Sequence, residues 1–319
     1  MTTRRQFLEA GALGAIAPAL AFAQSPPVRV GMLGPSPLKQ SVYAPGVVRR
    51  LAELGYRDVE YRSADGVADR YLRQARELIN LKCNVLITIG PETPVRALQD
   101  ARAPMPIVFL AVDFDPVEKG IVRNLSRPDR NTTGVYVPQN GLVAKRVEIM
   151  REVLPSARRM LLFTDVFSKD QVDAARKSAE QARFQLTVIE FSKRPYDYAN
   201  GFETGRKANA EAFMSLASPV FALERSLLGG LVAKHHLPGI GSSLAHADAG
   251  YLLSLGANIA KVTRRVADLA ASILKGAKTD DIPVEQADEF DLVVNTAAAR
   301  TLGVKIPQSV LARTTRIVD

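Results

Sequence analysis

The sequence predicts an α/β protein of two lobes, each built on an open, mainly parallel sheet. Three observations lead there. Short apolar runs rich in β-branched residues alternate with helix-length amphipathic segments, the pattern of successive βαβ units. The alternation pauses after residue 116 and restarts near residue 142, so it is run twice. A single late helix at 259–274, followed by a strand, is too little for a third domain. It fits a chain that returns to the first lobe and then crosses again to the second.

Each element follows from local chemistry. Residues 28–33, VRVGML, form the first strand, and Gly34-Pro35-Ser36-Pro37 turns beyond its end. A helix over 43–54 is stopped by Gly55 at a C-cap position. The second strand is 59–62. Asp69 caps the next helix, in which Leu72, Ala75, Leu78 and Ile79 share one face. Runs 85–89 and 107–111 are strands around a helix opened by Thr93-Pro94, with threonine as N-cap and proline in the first turn. That unit should cross over right-handed. Ligands of open parallel sheets bind beyond the carboxyl ends of strands. Residues 90–93 and 113–115 lie just past two such ends.

A short helix is expected over 117–125, and an extended piece at 134–137 makes the first transfer between lobes. Helices then fall at 142–153, at 169–182 with Ser168 as a possible N-cap, at 198–210 and at 223–234. They alternate with strands at 160–163, 186–190, 212–216 and 238–241. The tail holds extended pieces at 252–254, 282–284 and 290–294, helices at 259–274 and 296–302, and a closing element after Ile306.

The totals are those of an ordinary globular chain. Its 319 residues are 47% apolar and 24% charged, with a net charge of +9. Positive residues are scattered among acids with no long basic run, which argues for a basic soluble protein and against nucleic acid as partner. Cys83 is the only cysteine, so the chain has no intramolecular disulfide and no CxxC pair. It lies between a helix and a strand, as a small buried hydrophobe would.

Thr3-Arg4-Arg5-Gln6-Phe7-Leu8 resembles a twin-arginine export motif. An alanine-rich apolar run over 8–23 follows and ends in Ala21-Phe22-Ala23, a site for cleavage before Gln24. Glu9 and Pro18 interrupt the run, which is short for a span. Loss of Arg4, Arg5 and Glu9 leaves a mature chain of about +8, expected in the periplasm.

Several stretches, in order, carry a family likeness. They include Leu51-Ala52-Glu53-Leu54-Gly55-Tyr56, Asp115-Pro116-Val117, Asn131-Thr132-Thr133-Gly134-Val135 and Lys145-Arg146-Val147-Glu148. Later come Ala233-Lys234-His235-His236-Leu237-Pro238 and Leu302-Gly303-Val304-Lys305-Ile306-Pro307. Together they resemble the bacterial substrate-binding proteins of the tryptophan/tyrosine-type ABC importers. The resemblance implies a type I periplasmic binding protein fold: two Rossmann-like lobes, three hinge crossings, closure over a small ligand and delivery to an inner-membrane ABC permease. It implies a monomer without cofactor or metal. Lobe one would comprise 24–135 plus about 257–283, and lobe two 136–256 plus about 284–319.

A binding protein needs polar groups on both lobes, so that the right ligand favours the closed state. Ser36, Gly90, Glu92, Thr93, Asp113 and Asp115 are the candidates on lobe one. Thr93 fits an N-cap as well as a ligand contact, and Asp115 fits a turn before Pro116 as well as an ammonium partner. Lobe two offers Thr164, Asp165, Phe167, Ser218 and Asp248, with Phe167 or Tyr251 able to stack on a ring. Pro91-Glu92, Leu255 and the stretch 242–248 depart from the family pattern. Glu92, Asp113 and Asp115 would make the mouth acidic and favour a cationic or zwitterionic ligand, unless Glu92 only complements the helix dipole.

An enzyme is the first rival, but the chain has no HExxH, GxSxG or P-loop, and its histidines are His235, His236 and His246. A transcriptional regulator would need a DNA-reading module before the first strand. A binding protein serving a sensor or another transporter is not separable by sequence.

Overall fold

The computed structural model describes residues 28–65, 67–112 and 114–319. The segment at 1–23 expected to direct export and the candidate Asp113 lie outside the described residues. In chain order, the first lobe opens with β1 (Arg29–Gly34), α1 (Ala44–Glu53), β2 (Asp58–Ser63) and α2 (Ala68–Asn80). It continues with β3 (Val85–Gly90), α3 (Glu92–Asp100), β4 (Ile107–Ala111) and β5 (Thr132–Tyr136). The chain then enters the second lobe through α4 (Gln139–Val153), β6 (Arg159–Asp165), α5 (Val172–Gln181), β7 (Gln185–Phe191) and α6 (Tyr198–Lys207). There follow β8 (Ala212–Ser215), α7 (Pro219–Leu223), α8 (Arg225–Lys234), β9 (Gly239–Gly241), α9 (Leu244–Asp248) and β10 (Leu253–Ala257). It returns through α10 (Ile259–Leu274) and β11 (Glu285–Gln286), then ends in β12 (Phe290–Asn295), α11 (Thr296–Leu302), α12 (Gln308–Leu311) and β13 (Arg316–Val318).

Among the described residues the strands make two sheets. The first runs β11-β5-β4-β3-β1-β2 and is parallel throughout. The second runs β13-β12-β10-β9-β8-β6-β7 and is parallel except where β10 meets β12. The chain passes between lobes near residues 137–138, 258 and 287–289, giving three crossings. The strand expected at 282–284 forms instead at Glu285–Gln286, where Glu285 pairs with Val135. Sheet one therefore reaches Gln286, although the sequence reading put residues from about 284 on the second lobe.

The central strands β3 and β4 are buried along their whole length, as parallel strands covered on both faces must be. α1 and α10 pack together over one face of the first sheet, while α2 and α3 cover the other. At their contact a Cβ on Gly46 would fall 2.7 Å from Thr263 Oγ1, so glycine lets the two helices approach. α4 and α5 cover one face of the second sheet. Its other face holds an aromatic core, with Phe163 centred 4.9–5.0 Å from Phe191, Phe202 and Phe213. Cys83 is buried. Tyr251 is fully buried against Phe213 and is a core residue, unavailable for stacking on a ligand.

Three local expectations change. Residues 117–125 form turns and no helix, because Asp115 Oδ1 accepts from the amides of Val117 (2.8 Å) and Glu118 (3.1 Å) and closes the chain locally. Pro91 takes the cap position of α3, so Thr93 lies inside the helix. Asp69 likewise sits in the first turn of α2, where its charge complements the dipole. No helix among the described residues is long and apolar enough to cross a membrane.

Candidate functional site

A cavity lined by residues of both lobes opens between them. Every segment that lines it follows the carboxyl end of a strand or a crossing. From lobe one come Pro35, Ser36 and residues 40–43 after β1, Ile89, Gly90 and Pro91 at β3, and Val112 after β4. Gln139 comes from the first crossing. Lobe two supplies Ala217, Ser218, Pro219, Ala222 and Leu223 after β8, and Ser242 and Ser243 after β9. All of these described lining residues are neutral. Apolar side chains form most of the walls, and serine hydroxyls with Gln40 and Gln139 supply the polar points.

Local chemistry fixes each wall. Gly90 has φ +110°, which lets β3 turn sharply into α3, and a Cβ there would press on Pro35 at 3.2 Å. Tyr61 Oη donates to the Ser36 carbonyl at 2.7 Å and holds the loop after β1. Ser218 caps α7, its Oγ accepting from the Val220 amide at 3.1 Å while donating to Asp165 Oδ2 at 2.5 Å. Ser243 and His246 form a capping box that starts α9. Burial draws the His246 imidazole down to about 4, so it is neutral at physiological pH.

Gln139 ties the lobes at the cavity floor. Its Nε2 donates to the Val112 carbonyl of lobe one at 2.5 Å, and its Oε1 accepts from Arg146 Nη2 at 3.1 Å. Arg146 is fully buried in α4 and donates from Nε to the Leu255 carbonyl at 2.9 Å. Its Nη1 has no hydrogen-bond partner among the described residues. Burial lowers its pKa to about 9, so it still carries a positive charge at neutral pH.

Two further cavities extend the cleft toward solvent. One of about 480 Å³ runs past Phe114, Asp115, Glu118 and Gln139 to Asp170 and Gln171. The other, about 810 Å³, lies between residues 91–93, Phe114 and Lys119 on lobe one and Val166, Phe167, Lys169 and Asp170 on lobe two. This outer cleft is charged, and Lys119 Nζ reaches Asp170 Oδ2 at 3.4 Å across it.

The pattern of the family described as ABC transporter substrate binding protein matches residues 36–318. The chain belongs to that family. As a substrate-binding protein it binds solute for transport and pairs with an ABC permease, and its family is one of solute binders rather than enzymes. A curated relative, the tyrosine-binding protein of Clostridioides difficile, is 23% identical over 280 residues, covering 82% of this chain and 76% of the relative. The fold matches the Streptococcus pneumoniae ABC domain solved with L-Trp, at TM-score 0.79 and 22% identity over 91% of this chain and all of that one. A conserved domain protein of Vibrio cholerae matches at TM-score 0.82 and 24% identity, over 91% of this chain and 99% of that one.

Within this substrate-binding protein the sequence candidates separate into groups. Ser36, Gly90 and Ser218 line the inner cavity. Glu92, Thr93 and Phe167 line the outer cleft, and Asp115 its other arm. Glu92 is ion-paired with Arg96 of its own helix. Asp115 spends one oxygen on its own turn. Thr164 and Asp165 are buried behind the wall, where Thr164 Oγ1 lies 3.1 Å from Ser168 Oγ. Asp165 accepts from Ser168 Oγ (2.9 Å), the Phe167 amide (3.0 Å), Ser218 Oγ and Tyr196 Oη (3.3 Å). Burial raises its pKa against those hydrogen bonds. Asp248 is exposed and paired with Arg316 at 2.9 Å, away from the other candidates. Ser242, Ser243, Gln139, Gln40 and Arg146 were not singled out from sequence. The stretch 242–248 was flagged as unusual, yet only its first two residues reach the cavity.

Proposed function

We propose that this substrate-binding protein captures a small, amino-acid-like or aromatic molecule in the inner cavity and delivers it to an inner-membrane permease. The observation that carries the reading is that both lobes wall this cavity, because only a ligand touching both favours the closed state. Apolar residues such as Val42, Tyr43, Ile89, Pro219 and Leu223 suit a ring. Serine hydroxyls and Gln139 suit its polar groups, and the buried charge of Arg146 behind Gln139 favours a carboxylate on that side. The tyrosine- and tryptophan-binding relatives support this class. The ligand contacts proposed are Ser36, Gly90, Ser218, Gln139, Ser242 and Ser243, with Glu92, Thr93, Asp115 and Phe167 nearer the mouth. The protein acts as a monomer in the periplasm after removal of the export segment.

Native mass spectrometry of the exported protein, followed by a thermal-shift panel of amino acids and aromatic acids, tests the reading. The expected result is a melting temperature raised by one ring-bearing carboxylate or amino acid and unmoved by sugars. Stabilisation by sugars alone would overturn the ligand class.

A further inference from the structure

We propose that Lys119 and Asp170 form an interlobe latch, held in register by the Glu92–Arg96 pair, that sets how readily the lobes close. Lys119 belongs to the turn between β4 and β5 on lobe one. Asp170 belongs to the short turn of helix at 169–171 between β6 and α5 on lobe two. Their 3.4 Å contact bridges the outer cleft. The side chains are 35% and 31% exposed, so the pair is only partly screened by solvent.

Each end of the latch is anchored to the wall of the inner cavity. On lobe one, Arg96 Nη2 donates to the Lys119 carbonyl at 2.7 Å, and the same guanidinium is paired with Glu92, next to the cavity residue Pro91. Asp115 accepts from the Val117 and Glu118 amides, and Arg130 donates to the Gly120 carbonyl at 2.9 Å, so the turn carrying Lys119 is fixed on both sides. On lobe two, Gln171 exchanges two hydrogen bonds with the backbone of Ala217, a cavity residue, at 2.9 and 3.0 Å. The neighbouring Lys169 is paired with Glu190 and leaves Asp170 to Lys119. Glu92 thus stabilises the position of Lys119, and the departure of Pro91-Glu92 from the family pattern lies on the closure device.

The latch rests on the two-lobe architecture and not on the ligand, so the ligand-free protein tests it. Spin labels at Arg76→Cys and Lys207→Cys, both on exposed helix faces of opposite lobes, report the interlobe distance; the native Cys83 is buried. Lys119→Met or Asp170→Asn should lower the ratio of short to long distances about two- to fivefold, the range for a partly exposed ion pair. Glu92→Gln should lower it less, and 1 M NaCl should mimic the single variants by screening. The double variant Lys119→Glu with Asp170→Lys should restore the original ratio. Single variants indistinguishable from the parent, or a double variant that fails to recover the ratio the singles lose, would overturn the latch. Neither result bears on whether the inner cavity binds an aromatic ligand.

Discussion

The inner cavity and the outer mouth of the same cleft are made of opposite chemistry. The inner walls are neutral, and charged groups near them are buried behind them and already engaged. Asp165 gives its oxygens to Ser168, Phe167, Ser218 and Tyr196, and Arg146 donates to Gln139 and Leu255. The mouth displays Glu92, Asp115, Glu118, Lys119, Lys169 and Asp170 on its surface. Charges behind a wall fix its shape and field without competing for the ligand. At the mouth Lys119 meets Asp170 of the opposite lobe, while Glu92 and Lys169 pair within their own lobes. On the functions proposed above, recognition falls to the neutral chamber and the opening equilibrium to the rim.

The largest effect that tests this division is expected at Asp165. In Asp165→Ala the hydroxyls of Ser168, Ser218 and Tyr196 and the Phe167 amide lose a buried acceptor. Losing a charged hydrogen-bond partner in the interior costs about 3 kcal/mol. Urea unfolding should show the midpoint falling by that free energy divided by the slope m. A variant of parental stability that has lost ligand affinity would instead make Asp165 a ligand contact and break the comparison.

A comparable effect is expected from pH at the neighbouring segment of the same lobe, behind Ser243. The folded-state pKa of His246 is depressed by burial to about 4, below the ordinary value of 6.5. The unfolded chain therefore takes up a proton first, and stability is lost as pH falls from about 6.5 to about 4, levelling below that. At about 1.4 kcal/mol per pKa unit the loss reaches up to about 3.5 kcal/mol. His246→Gln keeps a capping-box residue at that position and removes the titration. Denaturant midpoints at pH 7, 5.5 and 4 should fall less steeply in the variant; equal slopes would place the acid sensitivity elsewhere.

How much of this was legible in sequence depends on the range of the forces involved. α10 and α11 begin and end where periodicity placed them, because their signals are local: Asn258 and Asn295 accept from the Lys261 and Ala298 amides at 2.9 and 2.8 Å. The order of strands and helices, and the ordered family motifs, read equally well. The turn at 117–125 was misread because apolar spacing suggests a helix, while Asp115 and Pro116 satisfy the backbone in another way. The site was legible as a set of strand ends, which brought Ser36, Gly90 and Ser218 together. The division among the acids was not. Two of the four donors that occupy Asp165, Tyr196 and Ser218, lie 31 and 53 positions away. The pairing of Lys119 with Asp170 depends on how two separate sheets face one another.

The smallest effect is expected at Asp248, the candidate that stands outside both regions. Its carboxylate is exposed and meets Arg316 of β13 at 2.9 Å. An exposed pair of this kind contributes about 0.2–1 kcal/mol, less in salt. Asp248→Asn should change the unfolding free energy by an amount within that range and leave ligand affinity within twofold by calorimetry. The same helix starts at Ser243 in the cavity wall, so the variant separates the two ends of α9. A tenfold loss of affinity at unchanged stability would extend the recognition surface along the helix to Asp248. It would also show that an acid shapes specificity, against the neutral chamber that the other walls describe.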